Sequence, residues 1–562
     1  MSKSVFFSAI VAVCLAVPSS TAAQSAVNLD ELKRAALAQA QAQAQASPPV
    51  VDLKLDEAVQ RAIERNLDLA VERLNPLTYD HTLSALYATY RPTMTSTFGN
   101  RSQVTLPNSQ LTGVTTKLDT ETVTWLGGLT QNVQWGGGSF SLTFNNNRQD
   151  SSNAFAIRNP SYTSSLSASY TQPLLRGFRI DGTRTQLETT KISQTISELQ
   201  LKAATTTTLA SVRNAYWDLL AARQAIEAAR QSLSLASKLV ADNRQRVEIG
   251  TMAPIDVIQA QAEEATRRQS LVQAEATAGT AELALKRLIV SGTDDPLWSA
   301  TIDPVDRPTF SAEAVDVDTV VKNAFENRID LQQAKQQLDS NDLSIKNLNN
   351  QTLPALNLTG GYQLAGLGGP QFERDRLGGA ILKTIPGGYL DALANIRGVD
   401  APTWNLQVNL SYPLGTSSAE ANLARAKLQL QQTQAQIKQV VLQIATEVTN
   451  VALQVRSNAQ RVQASTAARE LSEKRLEAEQ SKFEVGLSTN FMVVQAQRDL
   501  FDAQISELRA ILDYRKSLVD LERVQITGTG RSVTTISGGG STGSGVTTTV
   551  GGTTTGGPGG GF

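Results

Sequence analysis

Arg246-Val-Glu-Ile-Gly-Thr-Met-Ala-Pro-Ile-Asp-Val-Ile-Gln-Ala-Gln261 and Lys482-Phe-Glu-Val-Gly-Leu-Ser-Thr-Asn-Phe-Met-Val-Val-Gln-Ala-Gln497 are two versions of one segment, 236 residues apart. Gly250 falls on Gly486, and each copy ends in Gln-Ala-Gln. A glycine between two helix-forming stretches reads as a tight turn between antiparallel helices. Working outward, Asp56 to Leu69 matches Asp318 to Leu331 at an offset of 262, and Pro92-Thr-Met-Thr-Ser-Thr-Phe-Gly keeps that offset against Pro354-Ala-Leu-Asn-Leu-Thr-Gly-Gly. Tyr170-Thr-Gln-Pro-Leu-Leu aligns with Leu410-Ser-Tyr-Pro-Leu on Pro173 and Pro413. Each half therefore reads helix, strands, very long helix, Gly turn, helix. Such a duplication constrains the fold more than any single residue does.

The chain has 562 residues and a net charge of −1, which gives no electrostatic case for nucleic acid. Aromatic residues are sparse at 5 %, while Ala, Gln, Thr and Ser abound, a composition suited to long water-facing helices. Residues 1–23 read as a secretory signal, with Lys3, an apolar stretch from Val5 to Val17, and the small residues Thr21-Ala22-Ala23. Cys14, the only cysteine, lies inside that stretch, so the mature chain is expected to lack disulfides, thiolate metal sites and a lipid anchor. Past the signal no apolar run approaches the roughly 18 residues of a spanning helix. A chain like this that crosses a membrane must do so with strands.

Along the chain, residues 24–50 form an Ala/Gln-rich leader, 51–303 a first repeat, 304–526 a second repeat and 527–562 a Gly/Thr/Ser tail expected to be disordered. Leu53 to Tyr90 reads as one helix, stopped by Arg91-Pro92. Strand patterns follow over Thr93–Gln103, Val123–Gln134, Ser139–Asn147 and Tyr162–Thr171, and in the second half over Ala355–Leu364 and Trp404–Tyr412. Pro92 to Pro173 spans 81 residues against 59 for Pro354 to Pro413, and the excess of 22 fits one extra hairpin turning at Gly136-Gly-Gly138. The long helices should run from about Thr183 to Ile249 and Ser417 to Val485, the first roughly 100 Å long at 1.5 Å per residue. Ile437, Val441, Ile444, Val448, Val451 and Val455 step by 4 and 3, and Ile226, Leu233 and Val240 by sevens, the seams of coiled coils.

This combination resembles the TolC-type outer-membrane efflux proteins over roughly residues 51–526. The resemblance rests on the duplicated Val/Ile-Gly turn with its following Gln-Ala-Gln, the junction Gln172-Pro-Leu-Leu-Arg-Gly177, and Asp56-Glu-Ala-Val with Asn66-Leu-Asp-Leu. It implies an α+β membrane protein. Three subunits would form an outer-membrane β-barrel continuous with a long periplasmic α-helical coiled-coil barrel, each chain supplying two repeats. It further implies a homotrimer in contact with outer-membrane lipid, a periplasmic adaptor (membrane fusion) protein and an inner-membrane pump of RND or ABC type. The function would be a duct of a tripartite efflux or type I secretion system, passing substrates handed over by the pump. The smallest barrel of this family takes four strands per subunit, and the extra hairpin would add two.

No catalytic residues, cofactor site or metal site can be read in the sequence. The mature chain has one histidine, His81, on the first helix, and no phosphate-binding loop. The resemblance places the two turns at an adaptor-docking tip formed by Ile249, Gly250, Thr251, Val485, Gly486 and Leu487. It also makes Asp256, with Met492 at the matching place in the second repeat, a candidate pore gate. Three copies of Asp256 facing one lumen would favour cations; the alternative is an Asp at a positive helix start. Acidic residues on the long helices read as a solvated face. A rival reading of the whole chain is a periplasmic coiled-coil scaffold without a pore, and a third is a passive porin, which would lack helices of this length.

Overall fold

The computed structural model describes residues 49–528 apart from 107–116, 250–252, 308–309, 312–314, 377–378 and 416. The expected signal lies outside these residues, as do nearly all of the leader and tail. The chain begins with β1 (Val50–Leu53), α1 (Leu55–Arg65) and α2 (Leu67–Ala88). One continuous helix was the expectation here; instead Asn66 turns extended (φ −66°, ψ 123°) and breaks it. The Asn66 side chain accepts from the Leu69 amide and donates to the Leu288 carbonyl, so it caps α2 and ties it to the body.

Strands β2 (Thr93–Thr105), β3 (Leu118–Asn132), β4 (Ser139–Ser151) and β5 (Ser161–Pro173) follow. Then come α3 (Gly182–Glu248), α4 (Pro254–Ile289), the short α5 (Pro296–Ser299) and β6 (Thr301–Pro304), which pairs in parallel with β1. The second half has α6 (Val317–Asn327), α7 (Ile329–Gln351), β7 (Ala355–Gly368), β8 (Gln371–Arg374), β9 (Ile381–Ile385), α8 (Tyr389–Gly398), β10 (Pro402–Ser411), α9 (Ser418–Glu484) and α10 (Asn490–Val524). The break between α6 and α7 falls at Arg328 with nearly the backbone of Asn66 (φ −61°, ψ 121°), at the 262-residue offset of the sequence match. The duplication thus reaches down to a single kink. α3 and α9 are both 67 residues long, and their partners α4 and α10 are 36 and 35.

The strands form a six-stranded antiparallel sheet in the order β10-β7-β5-β4-β3-β2. The first half contributes four strands and the second two, and the β3–β4 hairpin turns through Gly136 and Gly137, both at positive φ (69° and 67°). The four junctions with α2, α3, α7 and α9, at Thr93, Pro173, Ala355 and Ser411, lie at one end of the sheet, and the short α8 stands at the other. At one of them Gly177 takes φ 86° and donates its amide to Asn350 at 2.7 Å, while Asp181 caps α3 through the Arg184 amide. The register sorts the side chains by parity. One face carries Phe98, Trp125, Phe144, Leu166, Leu364 and Leu406, and the other carries Thr95, Thr143, Ser167, Gln363 and Thr403.

The helices bury their narrow seams against one another. Val212, Tyr216 and Leu219 of α3 pack with Ala58 and Ala62 of α1, Leu285 and Ile289 of α4, and Ile302. The Tyr216 hydroxyl donates to the Asp306 carboxylate at 2.6 Å. In the second half Ile444 and Val448 of α9 meet Ala324 and Leu331, and Val455 meets Ala510 and Tyr514. Ile226 and Val240 are buried as the seam predicts, and Leu233 is half-buried. Arg328 is fully buried and donates to Asp330, Glu447 and the Val524 carbonyl, joining α7, α9 and the end of α10.

Candidate functional site

The far ends of the helical hairpins carry the duplicated turns. α9 stops at Glu484 because Gly486 enters the left-handed region (φ 79°), where an added side chain would be strained although space is open around it. The Leu487 amide then donates to the Lys482 carbonyl at 2.8 Å and the Gly486 amide to the Phe483 carbonyl at 3.2 Å. This pair of bonds satisfies carbonyls that the helix end leaves open. Ser488 donates its hydroxyl to Glu479, whose carboxyl is held below its ordinary range first by the Lys482 ammonium and then by that hydroxyl. In the first hairpin α3 ends at Glu248 with Ile249 as its cap, and Pro254 opens α4, where a missing amide costs nothing. Gly250 and Thr251 lie outside the described residues.

The described tip residues are apolar and exposed. Ile249, Val485 and Leu487 are 73 %, 70 % and 80 % accessible, and Ile255 and Phe491 stand beside them with more than half their surface free. Asp256 and Met492 are each the third residue of their helix; Asp256 is half-buried and Met492 is exposed. Asp256 is drawn into the structure by its backbone carbonyl, which accepts from Asn490 at 3.5 Å.

A set of polar contacts with no signature in the sequence joins the two hairpins behind the tip. Asn490, the first residue of α10, is buried, and its Oδ1 accepts from Asn243 Nδ2 of α3 at 3.0 Å. About two turns deeper at 3.6 residues per turn, Glu263 of α4 is buried, correcting the reading of acidic residues on the long helices as solvated. It accepts from Arg267 on its own helix at 2.8 Å and from Arg498 of α10 at 3.0 Å. Burial alone would raise the Glu263 pKa, but the two guanidinium groups outweigh it and hold the carboxyl below the ordinary carboxylate range. Leu239, Phe483 and Val493 form a small core between α3, α9 and α10, and Arg246 lies over the Phe483 ring at 4.3 Å. The i,i+4 spacing of Glu263 and Arg267 was visible in sequence, but their burial under α10 depends on how four helices align.

The arrangement can form an adaptable apolar surface at the end of stiff helices. Among the described residues no cluster of His, Cys, Asp and Glu has the geometry of a metal site, and no helix is long and apolar enough to cross a membrane.

The fold has known relatives. The fold is shared with the channel-forming protein CusC at 14 % identity and a TM-score of 0.61, over 85 % of this chain and 93 % of that one. A membrane protein of Pseudomonas aeruginosa matches at 17 % identity and a TM-score of 0.61, over 86 % of this chain and 92 % of that one. The Campylobacter jejuni outer membrane channel CmeC matches at 15 % and 0.59, over 84 % and 85 %. No significant match is found among curated proteins. The sequence profile of the outer membrane efflux proteins matches residues 139–290 and 320–526, more than half of the chain and parts of both repeats, and on that ground this chain belongs to the outer membrane efflux protein family.

Proposed function

We propose that this chain is the outer-membrane duct of a tripartite efflux or type I secretion system, working as a homotrimer that passes on what an inner-membrane pump and a periplasmic adaptor deliver. Family membership gives the outer-membrane location and the class of efflux channel, a class of channel proteins rather than enzymes. The observation that carries the finer reading is the sheet. Its apolar parity suits lipid, its hydroxyl and amide parity suits water, and α2, α3, α7 and α9 all leave at one end. The outermost strands, β2 and β10, are exposed along nearly their whole length and leave their outer edges unpaired. An open edge in a membrane is untenable, so β10 of one copy would pair with β2 of the next and close the barrel. The same two-faced sheet disfavours a soluble scaffold, for which Trp404, Leu406, Val408 and Leu410 in one exposed row would be a liability.

The tip residues Ile249, Gly250, Thr251, Val485, Gly486 and Leu487 would dock the adaptor. Asp256 and Met492, at the start of α4 and α10, would stand at the narrow end of the duct as its gate. The pump would be of RND or ABC type, and the duct itself would supply no energy.

The sheet reading is tested by parity. Leu166→Arg puts a charge on the lipid face and should cost about 2–4 kcal/mol of barrel stability if it lies near mid-membrane. Ser167→Arg, one residue on, should be tolerated. Heat-modifiable gel migration of the outer-membrane fraction reads both. Equal loss in the two variants, or none in either, would contradict the assignment.

A further inference from the structure

The water-facing parity of the sheet is almost free of charge. Along all six strands, Arg101 near the distal end of β2 is its one ionisable side chain. A single register row across the sheet reads Thr95, Gly128, Thr143, Ser167, Gln363 and Thr403. The opposite parity holds the remaining strand charges, among them Glu121, Arg148 and Asp150 beyond the end of the apolar band. The wall is also wide. Three copies of six strands make 18, and barrel diameter grows roughly in proportion to strand number, so the bore would be about 1.5 times that of a trimer with four strands each.

The helix of the second repeat's long distal connection, α8, does not fill this bore. A Cβ added at Gly366 would meet the Ala392 carbonyl, and one at Gly368 the Gly388 carbonyl. Both glycines belong to the apolar parity, as do Tyr162 and Asn146, against which Tyr389 packs. α8 therefore lies on the outer wall, with bare glycine beneath its backbone.

We propose that the membrane-level bore of this channel is an 18-stranded passage lined mainly by hydroxyl and carboxamide groups and uncharged below a single Arg101 ring near its outer mouth, suited to large polar cargo that its main wall does not sort by charge. The proposal rests on the reading that three copies close one barrel. Charge selectivity in pores comes from rings of ionised side chains, and this wall offers none through its middle. Ser, Thr, Asn and Gln can each donate and accept, so they can replace the water around a sliding hydroxyl- or amide-rich molecule without a fixed sign.

Thiol labelling from the cell exterior tests this on the full-length chain, whose only native cysteine is Cys14. Ser169→Cys sits on the polar wall near the helical end of β5, so a reagent must traverse the barrel to reach it. Three probes are applied: polyethylene glycol maleimides of graded length, and a cationic and an anionic methanethiosulfonate of equal size. Polymers too wide for a 12-stranded bore should react, and deleting the β3–β4 hairpin (residues 118–151) should lower the size limit. With Arg101→Gln removing the one charged ring on the way in, the ratio of cationic to anionic rates should equal that of free cysteine in solution. An unchanged limit in the deleted chain overturns the width. If that chain fails to insert, exclusion of the wide polymers from the intact one overturns it equally. A rate ratio shifted several-fold overturns the neutral wall. Ala168→Cys, on the apolar parity, is the control on the underlying reading. If it reacts with the aqueous probes as fast as Ser169→Cys does, the barrel assignment fails, and not merely the character of its bore.

Discussion

Gly486 shows how little a single residue needs to do at the tip. Its φ of 79° costs glycine almost nothing and costs an L-residue about 1–2 kcal/mol, while nothing nearby would clash with a new side chain. Gly486→Val should therefore leave assembly intact, since the strain is small against a large oligomer, yet reshape an exposed apolar surface. Trimer yield should be normal while efflux of a transported dye and cross-linking to the adaptor fall; unchanged efflux would move the docking surface elsewhere. Glu263 makes the opposite case. Glu263→Ala would leave Arg267, itself buried, without its carboxylate, at a cost of about 3 kcal/mol. Arg498→Ala should cost less, because that guanidinium is half exposed. With the native pKa depressed, this link contributes fully above the ordinary carboxylate range and is lost as pH falls below about 4.5 through the lower native value. Hydrogen exchange in α4 and α10 should report that loosening, and a pH-independent tip would contradict it. The glycine was legible in the sequence because turn chemistry is local. Asn243, Asn490 and Arg498 were not, since their importance depends on the alignment of separate helices.

At the scale of elements, the equality of α3 and α9 is the informative number, since two hairpins of 67-residue arms can end at one level. Deleting the heptad Leu233–Leu239 from α3 alone preserves the phase of the remaining seam but shortens one arm by roughly 10 Å at 1.5 Å per residue. Barrel insertion, read by surface labelling, should survive while efflux collapses; normal efflux would show that the tips need not be level. These helices could be read from sequence because heptad stepping persists over many turns. The six sheet strands could be located but not measured. β3 begins at Leu118, ahead of the expected Val123, because Asp119 and Glu121 stand beyond the apolar band where both parities are polar and alternation disappears. The break at Asn66 was hidden for a related reason: a capping residue replaces one helical position without disturbing the apolar period around it. β8, β9 and α8 were missed, being short elements within a distal connection whose apolar residues serve local packing rather than a long period.

A single chain leaves much surface unsatisfied. Its sheet has two open edges, its apolar parity is covered only where α8 lies on it, and α2 leaves Leu67, Val71, Leu74 and Leu77 more than half exposed. Three copies arranged as one barrel and one helical tunnel would pair the edges and cover the helices, leaving lipid to meet the apolar wall. The duplication supports this economy, because two hairpins per chain give a ring of six from three subunits. The most direct measurement is the mass of the detergent-extracted, outer-membrane form by light scattering, with the detergent contribution subtracted. Three chain masses, in a species recovered from the outer-membrane fraction, is the predicted result. A stable species of one chain mass in the soluble fraction would contradict it.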